Sequence, residues 1–195
     1  STAGIKVWPP NPGFTVITQI RSVRSRRCAT DSAGVPGFSA TPAFAQEVKL
    51  LQKYNDWPPN RSQGSPKVCF AVSQPRKSLP RNVRRGPIYF YVSDYPGDKI
   101  AGEISVKMGY PFPPGGKVTL TIGKDKFELF TKDEGAFVEK PEDEAKILAA
   151  LKAGSAMSIK GRSARGTNTT DEYSLSGTSG ALERIAKECG PEEAG

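Results

Sequence analysis

Arginine is the residue type in this sequence best placed to do chemistry, because the chain has no histidine. The absence of histidine removes the usual general base, the commonest metal ligand and the Ser-His and Cys-His catalytic pairs. Basic residues, in contrast, are concentrated in one segment, since residues 57–93 contain seven of them and no acid. They are Arg61, Lys67, Arg76, Lys77, Arg81, Arg84 and Arg85. This pattern favours the binding of anions over hydrolytic chemistry.

Two basic segments form the predicted binding surface. The first is the proline-containing connection 74–87, and the second is the loop 162–171. The arginines that we expect to contact a ligand are Arg81, Arg84, Arg85, Arg162 and Arg165. Two simpler interpretations stay open: a solvated basic loop that keeps the protein soluble, and a hairpin whose arginines pair with carboxylates. The stretch GRSARG is not a phosphate loop, because the lysine and the Ser or Thr that end that motif are absent.

The three cysteines, Cys28, Cys69 and Cys189, are widely spaced and form no CxxC motif. This spacing indicates neither a thiolate zinc site nor a thioredoxin-like redox pair. Cys69 lies in a predicted strand, and Cys189 lies on the apolar stripe of a predicted terminal helix, so a bridge between them would tie that helix to that strand. Such a bridge requires an oxidising compartment. The alternative is two buried free thiols that pack as small hydrophobic side chains.

The elements that must position these residues are mostly strands. Alternating apolar residues predict strands at 68–73, 88–92, 103–110, 117–123, 126–130, 136–139, 156–161 and 172–177. A short polar turn at Lys124 and Asp125 predicts a hairpin. Helices are predicted at 141–153 and at the C-terminus, through Cys189. Short connections favour antiparallel pairing, so we predict a mainly β fold, an antiparallel β-sandwich or partly closed barrel with two short helices.

Three local expectations follow from the same patterns. The strand 103–110 is predicted to bury one face and to expose the other to water. The stretch 58–66, PPNRSQGSP, is predicted to be a turn or loop. The aromatic run at 89–91 lies beside the basic segment, as in proteins that bind single-stranded nucleic acid, but ordinary sheet packing explains it more simply.

The stretch TPAFAQEV, residues 41–48, contains the small-x-small pattern that precedes a signal-peptidase cleavage site. We predict cleavage after Ala45. The residues before it are unlike a leader, because the apolar run 13–20 precedes the arginines instead of following them. We therefore interpret residues 1–45 as a disordered, leader-like or non-native extension and residues 46–195 as a single domain. No apolar run approaches the roughly 18 to 20 residues of a membrane-spanning helix, so we predict no membrane span.

Several segments together resemble the invasion-associated locus B family of bacterial envelope proteins, over about residues 47–189. They are KVCFAVSQPRK, RRGPIYFYVS, EISVKMGYPF, IGKDKFELFTKDEGAFVE, SIKGRSARGTNTTDEYSLSG and ALERIAKEC. The resemblance implies an exported protein, and TPAFAQ is similar to the end of the leader peptide in that family. It implies a disulfide, because Cys69 and Cys189 match family positions. It supplies no catalytic residues, and the family takes its name from a protein that helps a bacterial pathogen to enter red blood cells.

The function expected from the residues and the resemblance is that of a non-enzymatic, exported envelope protein that contributes to host-cell invasion or envelope interaction by surface binding. We expect a periplasmic, outer-surface or secreted location, a partner on the host-cell surface or an anionic envelope component, and no cofactor or metal. One alternative is an enzyme that acts on cell-wall polymers through two carboxylates roughly 5 to 10 Å apart. Another is an oligonucleotide-binding barrel, although we do not expect nucleic acid as the partner. The sequence makes no prediction of oligomeric state.

Overall fold

The computed structural model describes residues 47–63 and 65–190, and these residues form eleven strands and two α-helices. The strands are β1 (Glu47–Leu50), β2 (Pro59–Gln63), β3 (Cys69–Ser73), β4 (Lys77–Leu79), β5 (Tyr89–Tyr95), β6 (Ile100–Lys107), β7 (Lys117–Ile122), β8 (Asp125–Lys132), β9 (Gly135–Phe137), β10 (Ala156–Arg162) and β11 (Asn168–Ser174). The helices are α1 (Pro141–Ala153) and α2 (Thr178–Cys189), and Pro96–Asp98 forms a 3₁₀ turn. The predicted extension 1–45 and the predicted cleavage after Ala45 lie outside the described residues. No helix in the described ranges is long and apolar enough to cross a membrane.

The strands form one antiparallel sheet that curls back on itself. Its order is β1-β2-β3-β5-β6-β9-β8-β7-β10-β11-β4, so β1 and β4 are the two ends and the sheet is not closed. The first and second halves face each other: the rings of Phe90 in β5 and Tyr173 in β11 are 6.2 Å apart. The indole N–H of Trp57 donates to the Ser174 carbonyl oxygen at 2.8 Å. The predicted mainly β, antiparallel fold is confirmed, and its layers are sandwich-like.

The core lies between the two halves of the sheet and under the two helices. Apolar residues alternate along β7 and β10, where Leu120 and Ile159 are fully buried, because one face of each strand points inward. Helix α1 begins at Pro141, with three acids in its first turn that complement the helix dipole. It buries Ile147 and Leu151 against the sheet. The predicted β7–β8 hairpin is confirmed, with Ile122 paired to Asp125 across a two-residue turn.

The prediction that one face of the 103–110 strand is in water was wrong. In β6, Glu103 is only 8% exposed and Ser105 only 3% exposed. The reason is tertiary: β6 lies between β5 and β9, and Ser105 is the register partner of Tyr91. Tyr91 belongs to a second buried apolar cluster, on the sheet face opposite the main core. Alternate residues of β6 therefore lie on two faces of the sheet that are both buried, and neither face is exposed to solvent at Glu103 or Ser105.

Two predicted loops are partly or wholly strand. Residues 59–63, predicted as turn or loop, form β2, which pairs with both β1 and β3. Two of its polar residues, Asn60 and Ser62, are buried and hydrogen-bonded. The Val68 N–H donates to the Ser62 hydroxyl at 2.9 Å, and the Asn60 amide donates to the Pro58 carbonyl at 2.8 Å. Likewise β11 begins at Asn168, so the loop of the second basic segment is only 163–167.

A disulfide joins Cys69 in β3 to Cys189 at the end of α2, with Cα atoms 5.8 Å apart. The bridge is confirmed, and the alternative of two free thiols is excluded. Polar contacts support the same junction. Arg61 donates to a Glu188 carboxylate oxygen at 2.7 Å, and Lys67 donates to the Glu188 carbonyl oxygen at 2.6 Å. The terminal helix is thus held to strands 120 residues earlier in the chain.

Replacing both bridged cysteines, as C69A/C189A, is expected to lower the free energy of unfolding by about 2 to 5 kcal/mol, because the bridge restricts a long loop in the unfolded chain. Urea unfolding followed by circular dichroism measures the difference. The control is the same comparison in excess reductant, where wild type is expected to approach the variant. Equal stability of the two proteins under oxidising conditions would contradict this role.

Asp94 is a buried carboxylic acid next to the disulfide, and Cys69 is its register partner on β3. It lines a cavity of about 190 Å³ whose other walls include Leu148, Leu182 and Ile185. Burial raises the pKa of Asp94, although the hydrogen bond that its Oδ1 accepts from the Gly102 N–H, at 2.7 Å, acts to lower it. The pKa of Asp94 is therefore higher in the folded protein than in the unfolded chain.

The variant D94N is expected to be more stable than wild type at pH 7, because the amide oxygen can still accept from Gly102 and carries no charge to desolvate. The pKa of this acid is higher in the folded state, so its stabilising contribution is full below the unfolded pKa, about 3.9 for Asp. That contribution is lost as pH rises through the folded pKa. Denaturant titrations at several pH values should show the advantage of D94N growing with pH. An advantage that is constant with pH would contradict the assignment.

Candidate anion-binding site

Two neighbouring surface depressions lie on either side of residues 83–85. The first, here called the β4 depression, has a volume of about 420 Å³ and is lined by Arg76, Lys77 and Arg81 among others. The second, here called the hairpin cleft, has a volume of about 520 Å³. The hairpin cleft is lined by Val83, Arg84, Arg85, Gly109, Tyr110, Pro111, Ser163, Ala164, Arg165, Thr167 and Thr169. Val83 and Arg85 line both, so they form the wall between them.

The hairpin cleft takes one wall from the β10–β11 turn, which is held in a fixed shape by its own hydrogen bonds. The Ser163 N–H donates to the Thr167 carbonyl at 2.9 Å, and the Thr167 N–H donates to the Ser163 hydroxyl at 3.1 Å. Gly166 has φ +86°, a left-handed conformation that glycine adopts without strain. The Ala164 N–H donates to the Pro111 carbonyl at 2.8 Å, which anchors the turn to the opposite wall. Arg165 is left exposed at the turn.

The opposite wall depends on a close approach of two backbone segments. The Gly86 N–H donates to the Gly109 carbonyl oxygen at 2.8 Å. Gly109 has φ +70°, and a Cβ added there would meet the Gly86 carbonyl oxygen, so only glycine fits at this position. This contact places residues 83–86 beside the segment after β6 that carries Tyr110. The first basic segment therefore reaches the second through the backbone that follows β6.

The Arg85 side chain is buried within this wall instead of being exposed on the predicted surface. Its side chain is 7% exposed, and its guanidinium donates to both carboxylate oxygens of Asp171, at 2.8 and 2.7 Å. Asp171 is fully buried. The same guanidinium donates to the Met108 carbonyl, at 3.1 and 2.8 Å, and lies 4.9 Å from the centre of the Tyr110 ring. Its donors are therefore used inside the protein, and Asp171 is neutralised.

Tyr110 and Thr169 complete the floor of the hairpin cleft. Their hydroxyl oxygens are 2.7 Å apart, within a hydrogen bond. Burial raises the pKa of the Tyr110 hydroxyl, which outweighs the lowering effects of Thr169 and Arg85. Tyr110 is therefore a neutral hydroxyl at physiological pH, not a base. Asp171 and Thr169 belong to the predicted loop 162–171, but their contacts with Arg85 and Tyr110 depend on the folded chain and carry no signal in the sequence. Tyr110 lies outside both predicted binding segments.

The structure brings three of the other four predicted arginines to the two depressions, and Arg162 lines neither of them. Arg81 lines the β4 depression, whereas Arg84 and Arg165 line the hairpin cleft. Arg162 is exposed on the same hairpin, and its Nη2 would lie 3.5 Å from a Cβ added at Gly166. None of the four forms an ion pair with another residue of 47–63 or 65–190.

The remaining bases of the β4 depression are partly neutralised. Arg76 is 2.5 Å from a carboxylate oxygen of Asp56, and Lys77 is 3.4 Å from one of Glu172. Neither depression has an Asp or Glu in its lining. The unopposed positive charge of the two depressions therefore comes from Arg81, Arg84 and Arg165. Exposed cations of this kind attract anions from solution.

The comparisons with known proteins agree with this architecture. Residues 60–186 match the family model described as invasion associated locus B (IalB) protein. The chain belongs to the IalB family. The crystal structure of invasion associated protein b from Bartonella henselae is similar in fold, with a TM-score of 0.51 and 20% sequence identity, over 72% of this chain and 98% of that one. A comparison with curated proteins finds no match.

The IalB match confirms the family resemblance expected from the sequence, and it includes both depressions. The matched range contains Cys69 and all the arginines of the two basic segments, and it ends before Cys189. The structural likeness, at 20% identity, shows that the fold is shared.

The variant R85M is expected to lose about 3 to 5 kcal/mol of unfolding free energy, because it leaves the carboxylate of Asp171 buried without a partner. The double variant R85M/D171L removes both charges and should recover most of this loss. Urea unfolding of wild type, both single variants and the double variant gives the coupling energy of the pair. Additive losses in the double variant would show that the two side chains are not coupled.

Proposed function

We propose that this IalB-family protein is a non-enzymatic, exported envelope protein that binds an anionic component of the envelope or of a host-cell surface. The contact surface is the pair of depressions with Arg81, Arg84 and Arg165, together with Arg162 on the β10–β11 hairpin. The observation that carries the proposal is that the two basic segments, 74–87 and 162–171, contribute Arg81, Arg84 and Arg165 to adjoining depressions, where none of the three is paired to a described carboxylate. Nothing in the linings opposes their charge.

The disulfide supports the exported location. Disulfides persist in oxidising compartments such as the periplasm and the cell exterior, and they are rare in reducing cytosol. The Cys69–Cys189 bridge is buried, with both residues below 4% exposure, and it holds a whole helix in place. An export route is therefore consistent with the chemistry that this fold needs.

The lining chemistry supports binding without catalysis. General acid–base chemistry on a polymer needs a titratable group that reaches the substrate with a suitable pKa. Asp171, which is paired with the lining residue Arg85, is fully buried and accepts hydrogen bonds from Nη1 and Nη2 of that arginine. The phenol of Tyr110 has a raised pKa. The groups left to meet a ligand are guanidinium ions and hydroxyls, which recognise anions by charge and hydrogen bonds.

The test replaces the four exposed arginines by glutamine, as R81Q/R84Q/R162Q/R165Q. Each interaction of a surface charge is worth at least about 1 kcal/mol at contact distance, so affinity for immobilised heparin should fall by about a hundredfold or more. Surface plasmon resonance at physiological salt measures it, and flow cytometry measures attachment to mammalian cells. Arg85 is left intact because its loss would expose the fold to the cost of an unpaired Asp171.

The matched control removes four lysines instead, as K53Q/K126Q/K132Q/K187Q. These side chains are exposed, do not line either depression and form no ion pair within the described chain. The net charge changes by the same amount in both variants. Retained binding in the lysine variant and lost binding in the arginine variant support the proposal. Equal binding of the arginine variant and wild type would refute it.

A further inference from the structure

The two depressions are placed so that one ligand can occupy both. They share the wall formed by Val83 and Arg85, and their combined lining continues from β4 to the β10–β11 turn. Unpaired bases lie on both sides of that wall, with Arg81 on one side and Arg84 and Arg165 on the other. We propose that the ligand is an extended acidic polysaccharide, with sulfate or carboxylate groups repeated along its chain, that crosses this wall. The inference rests on the proposed function.

The spacing of the arginines favours a repeating ligand over a single anion. Arg81 and Arg84 are three residues apart, so their Cα atoms are separated by at most roughly 11 Å. They line different depressions, which means that a compact anion in the hairpin cleft meets Arg84 and Arg165 and leaves Arg81 unused. A ligand that uses all three must carry at least two anionic groups on opposite sides of Val83. An acidic polysaccharide has this repeat along its length.

The hydroxyl groups of the linings fit a sugar chain. Ser78 lines the β4 depression and Thr167 lines the hairpin cleft, and both are partly exposed. Neither hydroxyl forms a hydrogen bond with another group in the part of the chain that the structure describes. Each can therefore donate to and accept from sugar hydroxyls. Polar groups at these positions orient the ligand while the arginines provide most of the attraction.

Nucleic acid fits the same surface less well, because its single strands are held by aromatic side chains on which bases stack. The β4 depression has no aromatic residue in its lining, and the hairpin cleft has only Tyr110. The Tyr110 side chain is almost buried, with the Arg85 guanidinium 4.9 Å from its ring centre and the Phe112 ring 5.1 Å away in an edge contact. No ring face is left for a base.

The experiment measures how affinity depends on ligand length. Heparin oligosaccharides, fractionated from disaccharide to octasaccharide, are titrated into wild type, R81Q, R84Q/R165Q and the control K126Q/K132Q by isothermal calorimetry. Affinity should rise steeply when the oligosaccharide becomes long enough to span the wall and then level off. R84Q/R165Q should weaken binding at every length, whereas R81Q should weaken only the longer ligands. Thermal unfolding checks that all four proteins remain folded.

The salt dependence of the affinity reports the number of ionic contacts between the arginines and the ligand. The slope of log affinity against log salt should fall by about one for each arginine removed, by analogy with polyanion binding by nucleic-acid proteins. For the octasaccharide, both R81Q and R84Q/R165Q should reduce the slope. For the disaccharide, only R84Q/R165Q should reduce it, and the lysine control should change neither.

The outcomes separate this inference from the proposed function. Affinity that does not depend on length, or an R81Q variant that binds the octasaccharide like wild type, overturns the spanning ligand and leaves the anion-binding role intact. Tighter binding of single-stranded DNA of matched charge, in the same buffer, overturns the polysaccharide assignment. Failure of wild type to bind any of these polyanions refutes the proposed function itself.

Discussion

The ion pair between Arg85 and Asp171 is the constraint around which both depressions are built. The Arg85 guanidinium joins three separate parts of the chain: the connection after β4, the segment just after β6 through the Met108 carbonyl, and β11 through Asp171. Burying two charges costs several kcal/mol each, which the paired hydrogen bonds offset only when the geometry is good. Here the Asp171 carboxylate accepts from Nη1 and Nη2 of Arg85, and the Met108 carbonyl accepts from Nε and Nη2. The guanidinium also lies 4.9 Å from the centre of the Tyr110 ring. The pair therefore specifies the position of the connection more than it adds net stability.

The same pair decides the electrostatics of the surface. Asp171 follows the lining residue Thr169 by two positions, and a free carboxylate there would repel an anionic ligand. Arg85 cancels it inside the protein, so the charge outside is left to Arg84 and Arg165. The disulfide has a separate task at another junction, where it joins α2 to β3. One crosslink thus holds the terminal helix on the first half of the sheet, while the ion pair fixes the basic connection on the second half.

Local patterns predicted the elements that depend on local chemistry, and missed those that depend on tertiary contacts. The β7–β8 hairpin and helix α1 carry their signals in turn residues, acids and apolar spacing, so both were predicted correctly. Strand β2 was missed because Asn60 and Ser62 look like loop residues until backbone partners satisfy them in the interior. The prediction that one face of β6 is in water was wrong because the burial of that face depends on β5, where Tyr91 is the register partner of Ser105.

The candidate site shows the same division. The sequence indicated which segments carry the positive charge, but it could not distinguish the buried arginine from the four exposed ones. Neighbours on an extended chain point to opposite sides, so Arg84 and Arg85 have opposite environments although they are adjacent. Which one turns inward is decided by Asp171, which is 86 residues later. Only the pairing of β4 with β11 brings that acid within reach.

This alternation has a consequence for how the surface binds. Because Arg85 is fixed in the interior, the backbone that carries Arg84 is fixed too, and the hydrogen-bonded turn does the same for Arg165. The backbone cost of ordering the site is thus met during folding, before any ligand arrives. The exposed arginine side chains stay mobile, and ordering each one costs up to about 2 kcal/mol of rotamer entropy. The binding free energy of a single small anion offsets little of that entropy cost. A chain of anionic groups contacts several arginines and loses its translational freedom only once. A fixed backbone with mobile cationic side chains is therefore better suited to a repetitive polyanion than to a compact ligand.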